Sequence, residues 1–202
     1  MGISLGNAVM VSKVNLIPVA AIALVACSLT PEQPPVTAAD QPFAAAGSIE
    51  MRLEAGNYTI RAATDERIRV TFTGNHANAA ADLKASGTHA NLTVKDTPRS
   101  NFRATVEVPA TTDITIHLTA GNLEIAAIAG SKDIDGTAGN VTISIPNAND
   151  YGTVDASVKA GDLDGGPFGN SRSGLGPRLK WSGPGKYTLR ANLGAGNLEL
   201  KH

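Results

Sequence analysis

The chain has 202 residues, the scale of one domain with accessory segments, and its 42% hydrophobic against 17% charged residues is the balance of a globular chain with few surface charges. A formal net charge of −1 supplies no field for nucleic acid, and 4% aromatics leave too few rings for base stacking or a large aromatic core. The single cysteine excludes an internal disulfide framework and a cysteine zinc site, so the core must come from Ile, Val, Leu and Ala and no cofactor is implied.

The first predicted element is the apolar run Val14–Ala26, preceded by Lys13. It falls short of the roughly 20 apolar residues of a spanning helix and fits the core of a signal peptide. Its end, Leu24-Val25-Ala26-Cys27, resembles the lipobox cut by bacterial lipoprotein signal peptidase, with a branched aliphatic three before the cysteine and a small residue at the cut. That resemblance implies cleavage before Cys27, lipidation of Cys27 and attachment to a membrane. An ordinary signal peptide, or an anchor that ends in cysteine, is the alternative. Translation from Met10 gives a tidier start, MVSKVN. Ser28 in place of an aspartate favours outer-membrane over inner-membrane placement. Residues 28–47 are rich in Pro, Ala and Thr with no period, and read as a flexible tether. The expected organisation is a signal peptide over 1–26, a lipidated cysteine and tether over 27–47, and a folded domain over 48–202.

From Ser48 the sequence alternates. Ile49, Met51 and Leu53 share one side of a strand, and the pattern returns at Ile68/Val70/Phe72 and Phe102/Ala104/Val106/Val108. It continues at Ile114/Ile116/Leu118, Val141/Ile143/Ile145, Val154/Ala156/Val158 and Tyr187/Leu189/Ala191/Leu193. Strict period 2 means strands with one buried and one wet face, and beyond the signal no segment has helical period with caps, so the domain reads as all-β.

A second regularity crosses the first. Ala-Gly-Asn/Asp followed by an apolar residue occurs at Ala55–Tyr58, Ala120–Leu123, Ala138–Val141, Ala160–Leu163 and Ala195–Leu198. Glycine there supplies positive φ and Asn or Asp bonds locally to the chain. Repetition of such a unit suggests stacked rungs. A type II′ turn at Gly-Asn would instead make hairpins, with Leu53 opposite Ile60 and Leu118 opposite Ile125, as in an antiparallel β-sandwich. The spacing is uneven, 18 residues from Gly121 to Gly139 and 22 from Gly139 to Gly161, so any solenoid is irregular.

With Pro109–Asp113, the rung Leu118–Ile125, Ala138–Ile145, Val154–Leu163 and the closing Gly194–Leu200, the stretch Val108–Lys201 resembles the bacterial putative-adhesin family of unknown function, with toast-rack or head-GIN-like β-repeats. The resemblance implies an irregular right-handed β-solenoid, like a single-stranded β-helix, on a cell-envelope protein. It implies no activity and carries no catalytic residues. The Gly-rich loop Pro167–Arg178 interrupts the repeat.

Candidate chemistry is sparse. His76, His89, His117 and His202 lack the spacing of a zinc site, and His117 alternates with Thr115 and Thr119 towards solvent. Asp133 with Asp135, and Asp162 with Asp164, lack the further ligands of a calcium loop and read as turn formers. No Gly-x-Ser-x-Gly elbow occurs, and Gly183-Pro-Gly-Lys186 reads as a turn between two strands. Trp181 and Tyr187, read as a pair across a hairpin, with Phe168 and Arg178 of the glycine-rich loop, form the candidate mouth of a polysaccharide or small-ligand site. Asn197–Lys201 is a candidate free edge for pairing with another chain. The leading expectation is a non-enzymatic, envelope-anchored surface that contacts an envelope protein or a glycan.

Overall fold

In the computed structural model the described residues are Gly2, 33–169 and 171–202; the expected signal core and Cys27 lie outside them. The strands, in chain order, are β1 (Val36–Pro42), β2 (Ser48–Leu53), β3 (Gly56–Ala62), β4 (Arg67–Gly74), β5 (Ala80–Ser86) and β6 (His89–Lys95). They continue as β7 (Phe102–Val108), β8 (Asp113–Ile125), β9 (Lys132–Ser144), β10 (Tyr151–Asp164), β11 (Arg172–Leu175), β12 (Arg178–Ser182) and β13 (Tyr187–Lys201). Two short 3-10 turns, Ala148–Asp150 and Gly166–Phe168, are the only helical pieces among the described residues.

Period 2 dictates this architecture. The odd-numbered set Ile49, Met51 and Leu53 is buried, as are Ile68/Val70/Phe72, Ile114/Ile116/Leu118 and Leu189/Ala191/Leu193 in their strands. Tyr187 is half-buried. The inward residues form one continuous apolar core.

Five parallel rungs occupy the centre. β2 and β3 are two halves of one rung; β2 pairs with the first half of β8 (Leu53↔Leu118), and β3 with its second half (Gly56↔Gly121, Ile60↔Ile125). β8 then pairs with β9, β9 with β13, and β13 with β10, all parallel. Outside them the sheet turns mixed. β6 and β5 extend the first halves beyond β2, and β7, β4 and β1 extend the second halves beyond β3. At the far side β12 and β11 pair antiparallel with the two halves of β10.

The Ala-Gly-Asn/Asp motifs lie in register, so that Gly56, Gly121, Gly139, Gly196 and Gly161 form a column across the rungs. The last four have φ of +114°, +133°, +125° and +138°, and a Cβ on any of them would overlap the carbonyl oxygen of the glycine before it in the column. Only glycine permits this backbone and this approach together. In four of its five copies the motif is therefore a site inside a continuous strand, and the first copy opens β3. The hairpin pairing Leu118 with Ile125 does not form, because Leu118 pairs with Leu53 and Gly136, and Ile125 with Ile60 and Ile143.

Beside the glycines runs an asparagine ladder. Asn197 Nδ2 donates to Asn140 Oδ1 (2.9 Å), Asn140 to Asn122 (2.9 Å), Asn122 to Asn57 (2.7 Å), and Asn57 to the carbonyl of Phe102 (3.3 Å). Asn57, Asn122 and Asn140 each give and receive, while Asn197 at the end of the ladder only gives, an arrangement that stacked rungs make possible.

Aromatic rings gather where the regular rungs stop. Phe102 meets Tyr58 and Phe72 edge-on, with centroids 6.0 and 5.1 Å apart, on one side. Tyr151, Phe168, Trp181 and Tyr187 cluster on the other. The rungs between are filled by aliphatic residues such as Ile116, Ile134 and Leu193. Larger rings fill the ends, where the paired strands change direction and the column of equal side chains is broken.

Three expectations change. Within the expected tether, Val36–Pro42 is β1, antiparallel to β4, and Phe43 is buried. Pro167–Arg178 is not wholly loop, since Arg172–Leu175 adds β11 to β10. Asn197–Lys201 is no edge: β13 lies between β9 and β10, with Leu198 in register with both Val141 and Leu163.

Candidate binding surface

The alternation that buries one face of each rung sends the other to solvent, and parallel register lines the outward residues up in rows. One row on the first halves runs Thr93, Arg52, His117, Asp135, Asn192, Ser157, Arg178. The next runs Glu50, Thr115, Asp133, Arg190, Asp155, Lys180. Between the first row and the glycine column lies an open groove of about 830 Å³, bordered by Arg52, Glu54, Thr137, Lys159 and Arg190 among others.

Its chemistry mixes donors and acceptors. Arg52 forms an ion pair with Glu50, and His117 Nε2 stands 3.6 Å from the same carboxylate. Ser157 donates to Asn192 Oδ1 (2.9 Å). Glu54 accepts from the backbone N–H of Thr97 (3.3 Å). Outside the groove, at the end of the rows, Arg178 grips Asp155 with two hydrogen bonds, of 3.0 and 2.6 Å. That grip holds the Asp155 carboxyl below the usual carboxylate range and raises the guanidinium.

The outer face of the second halves is more self-satisfied. Arg61 and Arg69 share Glu107, Arg69 also reaches Asp65, and Arg67 holds Asp40 at 2.7 Å. The hydrogen bond from Arg67 keeps Asp40 ionised to lower pH than usual.

The expected aromatic mouth is arranged differently from a hairpin pair. Trp181 and Tyr187 flank β10 from opposite sides, in register with Val154 and Tyr151. Phe168 is buried, its ring 4.9 Å from that of Trp181, and the Tyr187 ring lies 6.2 Å from Tyr151. Trp181 also lies over Gly183, whose missing side chain makes room for the indole. The structure thus brings Phe168 and Trp181 together, places Tyr187 against Tyr151, and commits Arg178 to Asp155.

The acidic pairs also change their reading. Asp133 and Asp135 stand on the outward side of β9, and Asp162 extends the asparagine column on β10; none makes a turn. Asp164 alone does so, accepting from the N–H of Gly166 (3.0 Å), a bond that lowers its pKa. His117 is exposed as expected, His89 bonds Ser48 at 2.7 Å, and His76 bonds the carbonyl of Gly74. Among the described residues no three His, Cys, Asp or Glu side chains converge as metal ligands. No described helix is long and apolar enough to cross a membrane.

One buried group escaped the sequence reading. Lys132, 2% exposed, points inward at the start of β9, and its Nζ lies 2.7 Å from the Ile128 carbonyl, 3.1 Å from that of Gly130 and 2.8 Å from the Tyr151 hydroxyl. Burial lowers its pKa to about 8 and raises that of Tyr151 to about 12. The parity signal was available, because Lys132 shares the inward side of Ile134. The amine ties the return segment 126–131 to the start of β10, which makes it a structural pin within the core.

No family model matches the chain, and no curated protein matches it significantly. Among solved structures, a putative cell adhesion protein from Clostridium sporogenes ATCC 15579 is similar, with a TM-score of 0.52 and 11% identity over 83% of this chain and 99% of that one. A putative adhesin from Bacteroides fragilis NCTC 9343 aligns over 84% of this chain and 98% of that one, at 10% identity and a TM-score of 0.31. At such identities the likeness to the clostridial protein is one of fold, and it spans nearly all of that protein and most of this chain.

Proposed function

We propose that the chain is a lipid-anchored envelope protein whose folded part is a non-enzymatic, adhesin-like interaction surface. The observation that carries this reading is the stack of five parallel rungs, which presents its outward side chains as long, ordered polar rows. A surface of that kind acts by contact at many points. We read the stack as an irregular right-handed β-solenoid, the insertion of β13 between β9 and β10 being its irregularity. The fold of the clostridial cell adhesion protein supports the reading, as does the lipobox-like sequence ahead of Cys27, with outer-membrane placement suggested by Ser28.

Two measurements test it. Metabolic labelling with an alkyne fatty acid should tag the wild-type chain in the envelope fraction and leave Cys27→Ser unlabelled; equal labelling of both removes the anchor. Beads coated with the protein should adhere to cells or envelope fragments, with no turnover in hydrolase and lyase screens. Turnover without adherence overturns the surface reading.

A further inference from the structure

We propose that the groove across the first halves of the rungs binds an extended glycan chain bearing carboxylates, of the uronic-acid kind. The proposal rests on the reading of the chain as an interaction surface and names its ligand and its site.

Several charges on the outer faces are spent on one another, as with Arg61, Arg69 and Glu107, or Arg178 and Asp155. In the groove three are not. Among the described residues, none of the Lys159 ammonium, the Arg190 guanidinium and the Asp135 carboxylate has a side-chain hydrogen bond or ion pair, although all three are exposed. The backbone of the floor is already paired on both sides within the sheet. No strand can be added there, so a ligand must be read by side chains.

Rungs about 4.8 Å apart make five of them a track on the order of 20 Å long, suited to an extended chain. Gly194 stands between Thr137 and Lys159 at a position where those rungs carry side chains, and this opens the floor. Along the track Arg52, His117 and Asp135 run from donor to acceptor, which matches hydroxyl groups because each hydroxyl both gives and receives a hydrogen bond. No large apolar side chain lining the groove is exposed, so it offers nothing to a lipid or an aromatic ligand. Among the unpaired charges that line it, Lys159 and Arg190 outnumber Asp135, and an anionic chain is favoured.

The test is calorimetric titration of the intact protein in detergent with hexagalacturonate, with cellohexaose and with an oligothymidylate of similar length. Hexagalacturonate should bind at least about tenfold more tightly than the other two, the value of one charge-assisted contact. Lys159→Glu should weaken hexagalacturonate about tenfold. Thr137→Trp, which fills the floor from an exposed position, should abolish binding, with circular dichroism unchanged. Glu124→Gln, on the second halves, should have no effect. Three results overturn the proposal: no binding of hexagalacturonate, equal binding of oligothymidylate, or binding that survives both groove variants. Adherence of protein-coated beads to cells separates the two levels. Adherence without hexagalacturonate binding removes the groove and keeps the interaction surface, whereas loss of both removes the surface reading as well.

Discussion

Replacing Lys132 by methionine isolates the cost of one buried charge. Its ammonium is cut off from water, and this lowers its pKa from 10.5 to about 8, against a weaker opposing pull from Asp113. Both protonation states are accommodated. The ammonium donates to the carbonyls of Ile128 and Gly130 and to the Tyr151 oxygen; the neutral amine donates to the two carbonyls and accepts from the Tyr151 hydroxyl. Tyr151 keeps its proton up to about 12. Between about 8 and 10.5 the unfolded chain therefore holds a proton that the folded protein has released, so stability rises with pH across that window. At about 1.36 kcal/mol per pH unit the rise is about 3 kcal/mol. Methionine has no proton to exchange, and its failure to satisfy the two carbonyls costs the same at every pH. In urea titrations at pH 7 and pH 10.5, the stability difference between wild type and Lys132→Met should shift by about 3 kcal/mol in favour of wild type at the higher pH. A difference that is equal at both pH values, or that moves the other way, refutes the reasoning.

Tyr58 buries a hydroxyl with no hydrogen-bond partner among the described residues, so Tyr58→Phe should be neutral or stabilise by up to about 2 kcal/mol in chemical denaturation. Gly139→Ala combines φ +133° with a clash against the Gly121 carbonyl and should lower stability by roughly 4 kcal/mol or prevent folding. Gly87→Ala, at φ +60° in open space, should cost only about 1 kcal/mol, both glycine variants being compared by thermal melts. Asn140→Ala breaks two links of the asparagine ladder and should cost about 2 kcal/mol, against about 1 kcal/mol for Asn197→Ala, which breaks one.

The inward residues of most rungs were legible because strand alternation is local: Ile114, Ile116 and Leu118 announce their common side within five residues. The glycine motif was legible as a position of special backbone. What it joins was not, since Gly-Asn suits both a hairpin turn and a stacked strand, and only pairing to other rungs decides. The order of rungs was equally hidden. Asn197-Leu-Glu-Leu200 and Asn140-Val-Thr-Ile143 offer a neighbour the same pattern, so nothing local says that β13 enters between β9 and β10. β1 was missed because it is a half-buried edge strand, with Ala and Pro in place of large alternating residues. Trp181 and Tyr187 read locally as a pair across a hairpin, and their separation by β10 depends on that same insertion.

The place of β13 also bears on timing. β9 and β10 each leave one edge open along most of their length until Tyr187–Lys201 arrives, and β13 closes both edges at once. Until β13 is in place, β9 and β10 have no common partner, and two rungs wait for one strand. β13 thus acts as a keystone: two rungs that precede it in sequence are joined in the sheet only through it.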